Sequence, residues 1–371
     1  MRVFMVTGEA SGDMLAASLA TAMREFVPDI QFAGIGGERM ASAGIELTTR
    51  TTGWASMGPL AALVRIPPLL IVAWRLILWL RSSPWDLIVV VDFGAFNLRL
   101  ARWLRRIGYR KPILYYFPPA AWLDSPTRAR AVVRYSTPLT AFAHQRDFYQ
   151  SLDLPIAYFG HPLVSLIEPR RVRPAAARDG GIVALLPGSR RGEIVRHLDP
   201  LLRAARLIRA QRPLARFVIG AADAEAEELI RETVGPGERE SIQIVRGARA
   251  ALDAADAAWI ASGTAVLEAA LREVPAVALY IISDASVGYA KRVWLNKHRY
   301  VTLPNLLLER EIVPEYLQEA ATPEALAAAL EALLNDPTQQ LGEMRALRGV
   351  LGAPDTLRRC AAFAVEVAKS G

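Results

Sequence analysis

Ile182-Val183-Ala184-Leu185-Leu186-Pro187-Gly188-Ser189-Arg190 is a run of strand-forming residues ending in a small-residue turn closed by an arginine. A short, unbroken apolar run of this kind reads as a strand buried on both faces of a parallel sheet. Such sheets bind ligands beyond the carboxyl ends of their strands. Helix N-termini there offer unpaired N–H groups to an anion, and an arginine adds a bidentate clamp. A second turn, Ser262-Gly263-Thr264-Ala265, follows the run 257–260 and opens a helical pattern carrying Glu268, one turn in, where a carboxylate can accept a sugar hydroxyl. Gly188, Ser189, Arg190, Ser262, Gly263, Thr264 and Glu268 together describe a nucleotide-sugar pocket.

The same strand, turn and helix logic extends in both directions. Downstream, strands are expected at 217–219, 242–245 and 277–280; upstream, at 1–7, 31–35, 87–91, 112–116, 140–143 and 156–159. The polar, proline-bearing stretch from Glu168 to Gly181 separates the two arrays and reads as a linker. At 371 residues the chain exceeds one ordinary core. The expectation is therefore an α/β protein of two Rossmann-like domains facing across a cleft: residues 1–168, a linker at 169–181, residues 182–345, and a C-terminal helical segment at 346–371.

Composition narrows the partners. Net charge is +7 with a pI near 9.7, but the basic residues are spread (Arg99, Arg102, Arg105, Arg106, Arg110, Lys111, Arg128, Arg130, Arg134) and no nucleic-acid motif accompanies them, so nucleic-acid binding is not expected. Hydrophobic residues make up 52% of the chain and mean hydropathy is +0.20, which hints at apolar surface as well as a generous core. Cys360 is the single cysteine, which excludes an internal disulfide framework and a cysteine-rich metal site, and the start reads as a strand rather than a signal peptide; a cytoplasmic protein is expected. The apolar stretch from Ile66 to Leu80 is shorter than the roughly 20 residues a bilayer span needs. It reads either as a buried core helix or as an interfacial helix anchored by Trp74, Trp79, Arg75 and Arg81.

Asp92 ends the most convincing strand, either as a helix N-cap or as a general base whose pKa is raised by apolar surroundings. Gly8-Glu9-Ala10-Ser11-Gly12-Asp13 is a glycine turn with two acids. It suits a sugar or acceptor hydroxyl at Glu9, Ser11 and Asp13, or else a tight turn in which Asp13 supports a helix start. His161, after another strand, is a substrate contact or a structural histidine. Asn305 could meet a phosphate or uracil edge, or cap its turn. Four histidines without paired spacing argue against a metal site. With no Asp-x-Asp motif, positive charge must come from Arg190 and helix dipoles, implying a metal-independent transfer without a cofactor.

These residues in this order resemble the lipid-A-disaccharide synthase family: Gly8 to Asp13, Gly34-Ile35-Gly36-Gly37, Met57-Gly58, Asp92 with Phe96-Asn97, Gly160-His161-Pro162, Leu185 to Arg190 with Glu193, Ser262 to Ala265 with Glu268, and Leu303-Pro304-Asn305 running to Val313-Pro314-Glu315. The resemblance implies a GT-B fold and an inverting glycosyltransferase that moves 2,3-diacylglucosamine from UDP to 2,3-diacylglucosamine 1-phosphate. It further implies Asp92 as base, Arg190 on the diphosphate, Glu268 on the ribose and Asn305 in the donor pocket. Peripheral association with the inner face of the cytoplasmic membrane, and a homodimer with exchanged C-terminal segments, follow from it too. Departures from the family pattern cluster on the acceptor side, at Phe93-Gly94-Ala95, at Phe117-Pro118-Pro119 running to Asp124, and after Met57-Gly58. Donor motifs survive better. A related enzyme with another lipid-linked or phosphorylated acceptor, a UDP-sugar epimerase of similar architecture, and a non-catalytic module that binds UDP-sugar at a membrane surface are the alternatives.

Overall fold

The computed structural model describes residues 1–51, 76–77, 79–80, 84–119, 125–170, 180–235, 238, 241–283 and 299–371. They fall into two compact units, Met1–Leu166 with Leu351–Gly371, and Ile167–Val350. Each is built on a parallel sheet, so the two Rossmann-like halves expected from the sequence are present.

In the first unit the described strands are β1 (Arg2–Val6), β2 (Gln31–Gly36), β3 (Glu46–Arg50), β4 (Leu87–Val91), β5 (Ile113–Tyr116), β6 (Thr137–Thr140) and β7 (Ala157–Tyr158), in the order β3-β2-β1-β4-β5-β6-β7. Between them run α1 (Ala10–Arg24), α2 (Glu38–Ser42), α3 (Gly94–Arg106), α4 (Pro126–Tyr135), α5 (Ala143–Gln150) and α6 (Leu163–Leu166). Alternation along each strand sends successive side chains to opposite faces. Val3, Met5, Leu87, Val89 and Val91 pack with Leu15 and Leu19 of α1. Phe4, Val6, Ile88, Val90 and Tyr115 pack with Leu100 and Leu104 of α3 and Val132 of α4. Each such side chain withdrawn from water contributes about 1.5–3 kcal/mol.

The second unit repeats the plan with β8 (Ile182–Leu186), β9 (Arg216–Ala221), β10 (Ile242–Arg246), β11 (Ala257–Ala261), β12 (Ala276–Tyr280) and β13 (Glu315–Leu317), ordered β10-β9-β8-β11-β12-β13. Its helices are α7 (Arg191–Gln211), α8 (Ala224–Thr233), α9 (Ala248–Ala254), α10 (Thr264–Leu271), α11 (Leu303–Leu308), α12 (Pro323–Asn335) and α13 (Thr338–Leu351). Trp259 is fully buried at its centre and donates its Nε1–H to the Leu326 carbonyl of α12 at 2.9 Å, which satisfies the one polar atom of the indole. The chain then returns to the first unit as α14 (Thr356–Lys369), whose Cys360, Ala361 and Ala364 join Leu15 and Leu19 in one core.

One expected strand is shifted and two further strands are present. The strand expected at 140–143 lies at Thr137–Thr140, and α5 begins at Ala143. Pro138 argues against a strand on propensity, yet β7 pairs only with Leu139 and Thr140, so no ladder partner is lost at the proline. Strands β3 and β13 have no apolar run behind them, because each lies at a sheet edge and is only partly covered. Most of the linker expected at 169–181 lies outside the described residues, as do Met57-Gly58 and residues 66–75 and 78 of the Ile66–Leu80 stretch. The described end of that stretch is core: Leu76, Ile77 and Leu80 are buried with Phe4 and Val90. Trp79 stays 41% exposed, its ring 5.4 Å from that of Phe4. Among the described residues no helix is long and apolar enough to cross a membrane.

Candidate functional site

A parallel sheet opens a crevice at its carboxyl edge where the strand order reverses. In the first unit that reversal lies between β1 and β4, and the residues that follow them are Thr7-Gly8-Glu9 and Asp92. In the second it lies between β8 and β11, followed by Pro187-Gly188-Ser189-Arg190 and Ser262-Gly263-Thr264. The two motif pairs singled out in the sequence thus sit at the ligand-binding ends of their own sheets.

Asp92 and Phe93 are consecutive non-glycine residues in the left-handed region, both at φ 47°. This conformation strains a side chain and persists only where the surroundings over-determine it. Here three bonds do so. The Asn97 amide donates to the Val91 and Asp92 carbonyls at 3.0 and 2.9 Å, and the Tyr115 hydroxyl donates to the Asp92 carbonyl at 3.1 Å. The carboxyl of Asp92 is raised to about 6, first by burial, then by the negative charge of Glu9, with the Phe93 amide acting in the opposite direction. Asp92 does not cap a helix through its side chain: Phe93 is the residue flanking α3, and it makes no side-chain cap.

Two acceptor-side departures touch one another. A Cβ at Gly94 would stand 2.2 Å from Pro119 Cβ, so the glycine and the proline fit only together. A Cβ at Gly8 would meet the Phe93 ring at 2.5 Å, which places that ring over the glycine turn beside Asp92.

Asp13 is not open to a ligand. Its Oδ1 accepts from the Gly37 and Met40 amides at 2.7 and 3.2 Å and its Oδ2 from the Arg39 amide at 3.0 Å, so the buried carboxylate caps α2, a helix distant in sequence. Glu9 flanks α1 without a side-chain cap, and Ser11 is half-buried in its first turn. His161 is 3% exposed, stands 5.3 Å from Phe117 and 5.6 Å from Phe142 between ring centroids, and accepts the Leu163 amide on Nδ1. It is a structural histidine, held neutral by burial with its pKa lowered to about 3. The unfolded chain takes up that proton near pH 6.5, the folded chain only near 3. Stability is therefore lost as pH falls through this window, at a limit of about 1.4 kcal/mol per unit. Urea unfolding of the wild type and His161→Leu between about pH 6 and 4 should show a shallower loss in the variant, by up to one proton. Equal slopes would reject this.

In the second unit Gly188 is left-handed at φ 115°, and a Cβ there would collide with Glu193 at 2.7 Å. Glu193 closes the loop. Its Oε2 accepts from the Ser189 and Arg190 amides at 3.2 and 3.3 Å, and its Oε1 meets Arg190 Nη1 at 3.2 Å. Two amides expected to meet a phosphate are thus held weakly by a side chain, at the exposed start of α7. Beneath them His197 is fully buried. Its Nε2 accepts the Ile281 amide at 2.9 Å, which puts the proton on Nδ1, donated to the Pro187 carbonyl 2.8 Å away. The ring therefore ties the end of β8 to the end of β12 across β11. Gly263 precedes α10 with nothing within 4 Å of a Cβ position, and Thr264 and half-buried Glu268 follow in the same helix.

Asn305 is corrected. It is fully buried, donates Nδ2 to the Val313 carbonyl at 2.7 Å and to Glu315 Oε1 at 2.8 Å, and accepts the Ile312 and Val313 amides on Oδ1 at 2.8 and 2.9 Å. All four hydrogen-bonding positions of the amide are spent on its own turn. Sequence reasoning missed Tyr115 and His197, which act through backbone carbonyls and leave no motif. Asn97 and Glu193 stand within the motifs, but their roles in holding backbone groups show only in the fold.

The family described as lipid-A-disaccharide synthetase matches residues 3–356. A lipid-A-disaccharide synthase of Pseudomonas aeruginosa is 38% identical over 350 residues, 92% of this chain and 91% of that protein. One of Azotobacter vinelandii is 38% identical over 380 residues, covering 100% and 98%. Among solved structures, a UDP-GlcNAc 2-epimerase of Neisseria meningitidis bound to UDP-GlcNAc has a TM-score of 0.66 at 11% identity over 99% of this chain and 100% of that one. The Anabaena HepE protein, solved with UDP and glucose, has a TM-score of 0.57 at 11% identity over 99% of each chain. These two likenesses bear on the fold alone.

Proposed function

This chain belongs to the lipid-A-disaccharide synthase family of UDP-sugar-dependent glycosyltransferases, and on that premise we propose that it transfers 2,3-diacylglucosamine from UDP to the 6-hydroxyl of 2,3-diacylglucosamine 1-phosphate, inverting the anomeric carbon and releasing UDP. The observation that carries the reading is the similarity to these synthases along nearly the whole chain. Asp92 serves as general base: a carboxyl raised to about 6 is ionised near neutrality yet basic enough to take the acceptor proton. Arg190, with 40% of its side chain exposed, turns to the diphosphate, and Glu268 accepts a ribose hydroxyl. Ser189, Ser262, Gly263 and Thr264 line the donor site, and Glu9 and Ser11 contact the acceptor. Because phosphate is bound by arginine and helix N-termini, the leaving UDP needs no metal in this reading.

Turnover of the two diacylated substrates, followed by UDP release, tests the reaction. Release of UDP only with another acceptor would favour the related enzyme that the acceptor-side departures suggest. Arg190→Ala should weaken UDP binding in calorimetry by about 10- to 100-fold, as expected for one charge-assisted contact to phosphate. Unchanged affinity would remove Arg190 from the donor site. Peripheral association with the inner membrane face, and a homodimer exchanging C-terminal segments, complete the proposal. Light scattering of the purified protein tests the latter, and a monomer at working concentration rejects it.

A further inference from the structure

The basic residues that are spread along the sequence are gathered by the fold. α3 carries Arg99, Arg102 and Arg106 at spacings of three and four, which places them on one stripe, and Arg110 and Lys111 follow its end. α4 packs beside it with Arg128, Arg130 and Arg134. All eight are exposed. The ninth, Arg105, fixes the two helices together by donating to the Tyr135, Tyr109 and Lys111 carbonyls. Residues 93–119 and 125–136 contain no Asp or Glu.

Like charges three and four apart on a helix repel, so this stripe is unfavourable in water without an anion to face it. Elsewhere the chain pairs its arginines, as in Arg212 with Glu331, Arg231 with Glu227 and Arg310 with Glu343. Among the described residues Arg99, Arg102, Arg106, Arg110 and Arg130 enter no ion pair. The same layer of the unit holds Leu76, Ile77 and Leu80, the end of the apolar stretch, and 41% exposed Trp79.

We propose that the α3–α4 face docks the protein on an anionic phospholipid surface through its arginines. The inference rests on the membrane association proposed above and names the surface that makes it. Charge complementarity selects the partner. A lipid headgroup layer presents many anions to a row of cations, whereas nucleic acid would also call for aromatic stacking platforms, and the rings here, Trp103 and Tyr135, pack against the core.

The test is sedimentation of the full chain with phosphatidylcholine vesicles, with and without phosphatidylglycerol, for the wild type and for Arg102→Gln/Arg106→Gln/Arg130→Gln. Partitioning to the anionic vesicles should fall by about fivefold per arginine, on the order of a hundredfold for three, and the difference should shrink with salt. Turnover of detergent-dispersed substrates should stay at the wild-type rate. Undiminished vesicle binding by the variant overturns the proposal and leaves the apolar stretch as the anchor. An equal loss of turnover in detergent overturns it too, by assigning the arginines to substrate. Displacement of vesicles by an RNA oligomer of matched charge would transfer the face to nucleic acid. Failure of the wild type to turn over the diacylated pair would instead sink the reaction proposed above, whatever its vesicle binding.

Discussion

Asp92→Asn should lower kcat by about 10²- to 10⁴-fold, the contribution typical of a positioned general base, while the dissociation constant for UDP stays unchanged. The wild type should show kcat/KM rising with pH and levelling above an apparent pKa of about 6, a limb the variant lacks. The same substitution should stabilise the fold. The folded carboxyl titrates near 6, where an unfolded aspartate titrates near 4. The folded state therefore holds its proton longer, and ionisation costs nothing below about pH 4 and its full amount above about pH 6, on the order of 2–3 kcal/mol at 1.36 kcal/mol per unit. Asparagine removes the charge but keeps a polar group to hydrate, so a gain of about 1–2 kcal/mol above pH 7 is expected from urea unfolding. A variant that is less stable and still active would dismiss Asp92 as the base.

Asn305→Leu should cost about 3–5 kcal/mol, because the buried Ile312 and Val313 amides and the Val313 carbonyl lose their partner at once, while Glu315 keeps its bonds to Thr302. Thermal unfolding measures the loss. Well below the transition, the folded variant should bind UDP with wild-type affinity, which separates a turn clamp from a donor contact. Weakened binding with unchanged stability would restore Asn305 to the donor pocket.

The contrast between these two positions explains how much could be read in advance. The buried strands were legible because continuous runs such as Leu87 to Val91 admit few alternatives, and the residues after them were legible because parallel sheets bind at that edge. Edge strands β3 and β13 were not, since partial cover leaves no pattern. Polar residues after a strand look alike in sequence whether they face a ligand or a turn. Asp13 spends its hydrogen bonds on the amides around α2, His161 accepts the Leu163 amide and Asn305 closes its own turn, and only the fold reveals which. The support of Asp92 was hidden for the same reason: Tyr115 lies 23 positions away and acts on a carbonyl.

The return of α14 to the first unit has a consequence for biogenesis. A ribosome delivers that unit's strands early, yet α14, which shares a core with Val3, Met5 and Leu19, is made only after the second unit. Until then α1 and α2 cover that flank without it, and the nascent chain must carry the apolar surface that α14 will bury through the whole synthesis of the second unit. Late completion of this kind makes the amino-terminal half the portion that depends on chaperones, and a premature stop before Thr356 the lesion that sends the product to proteases.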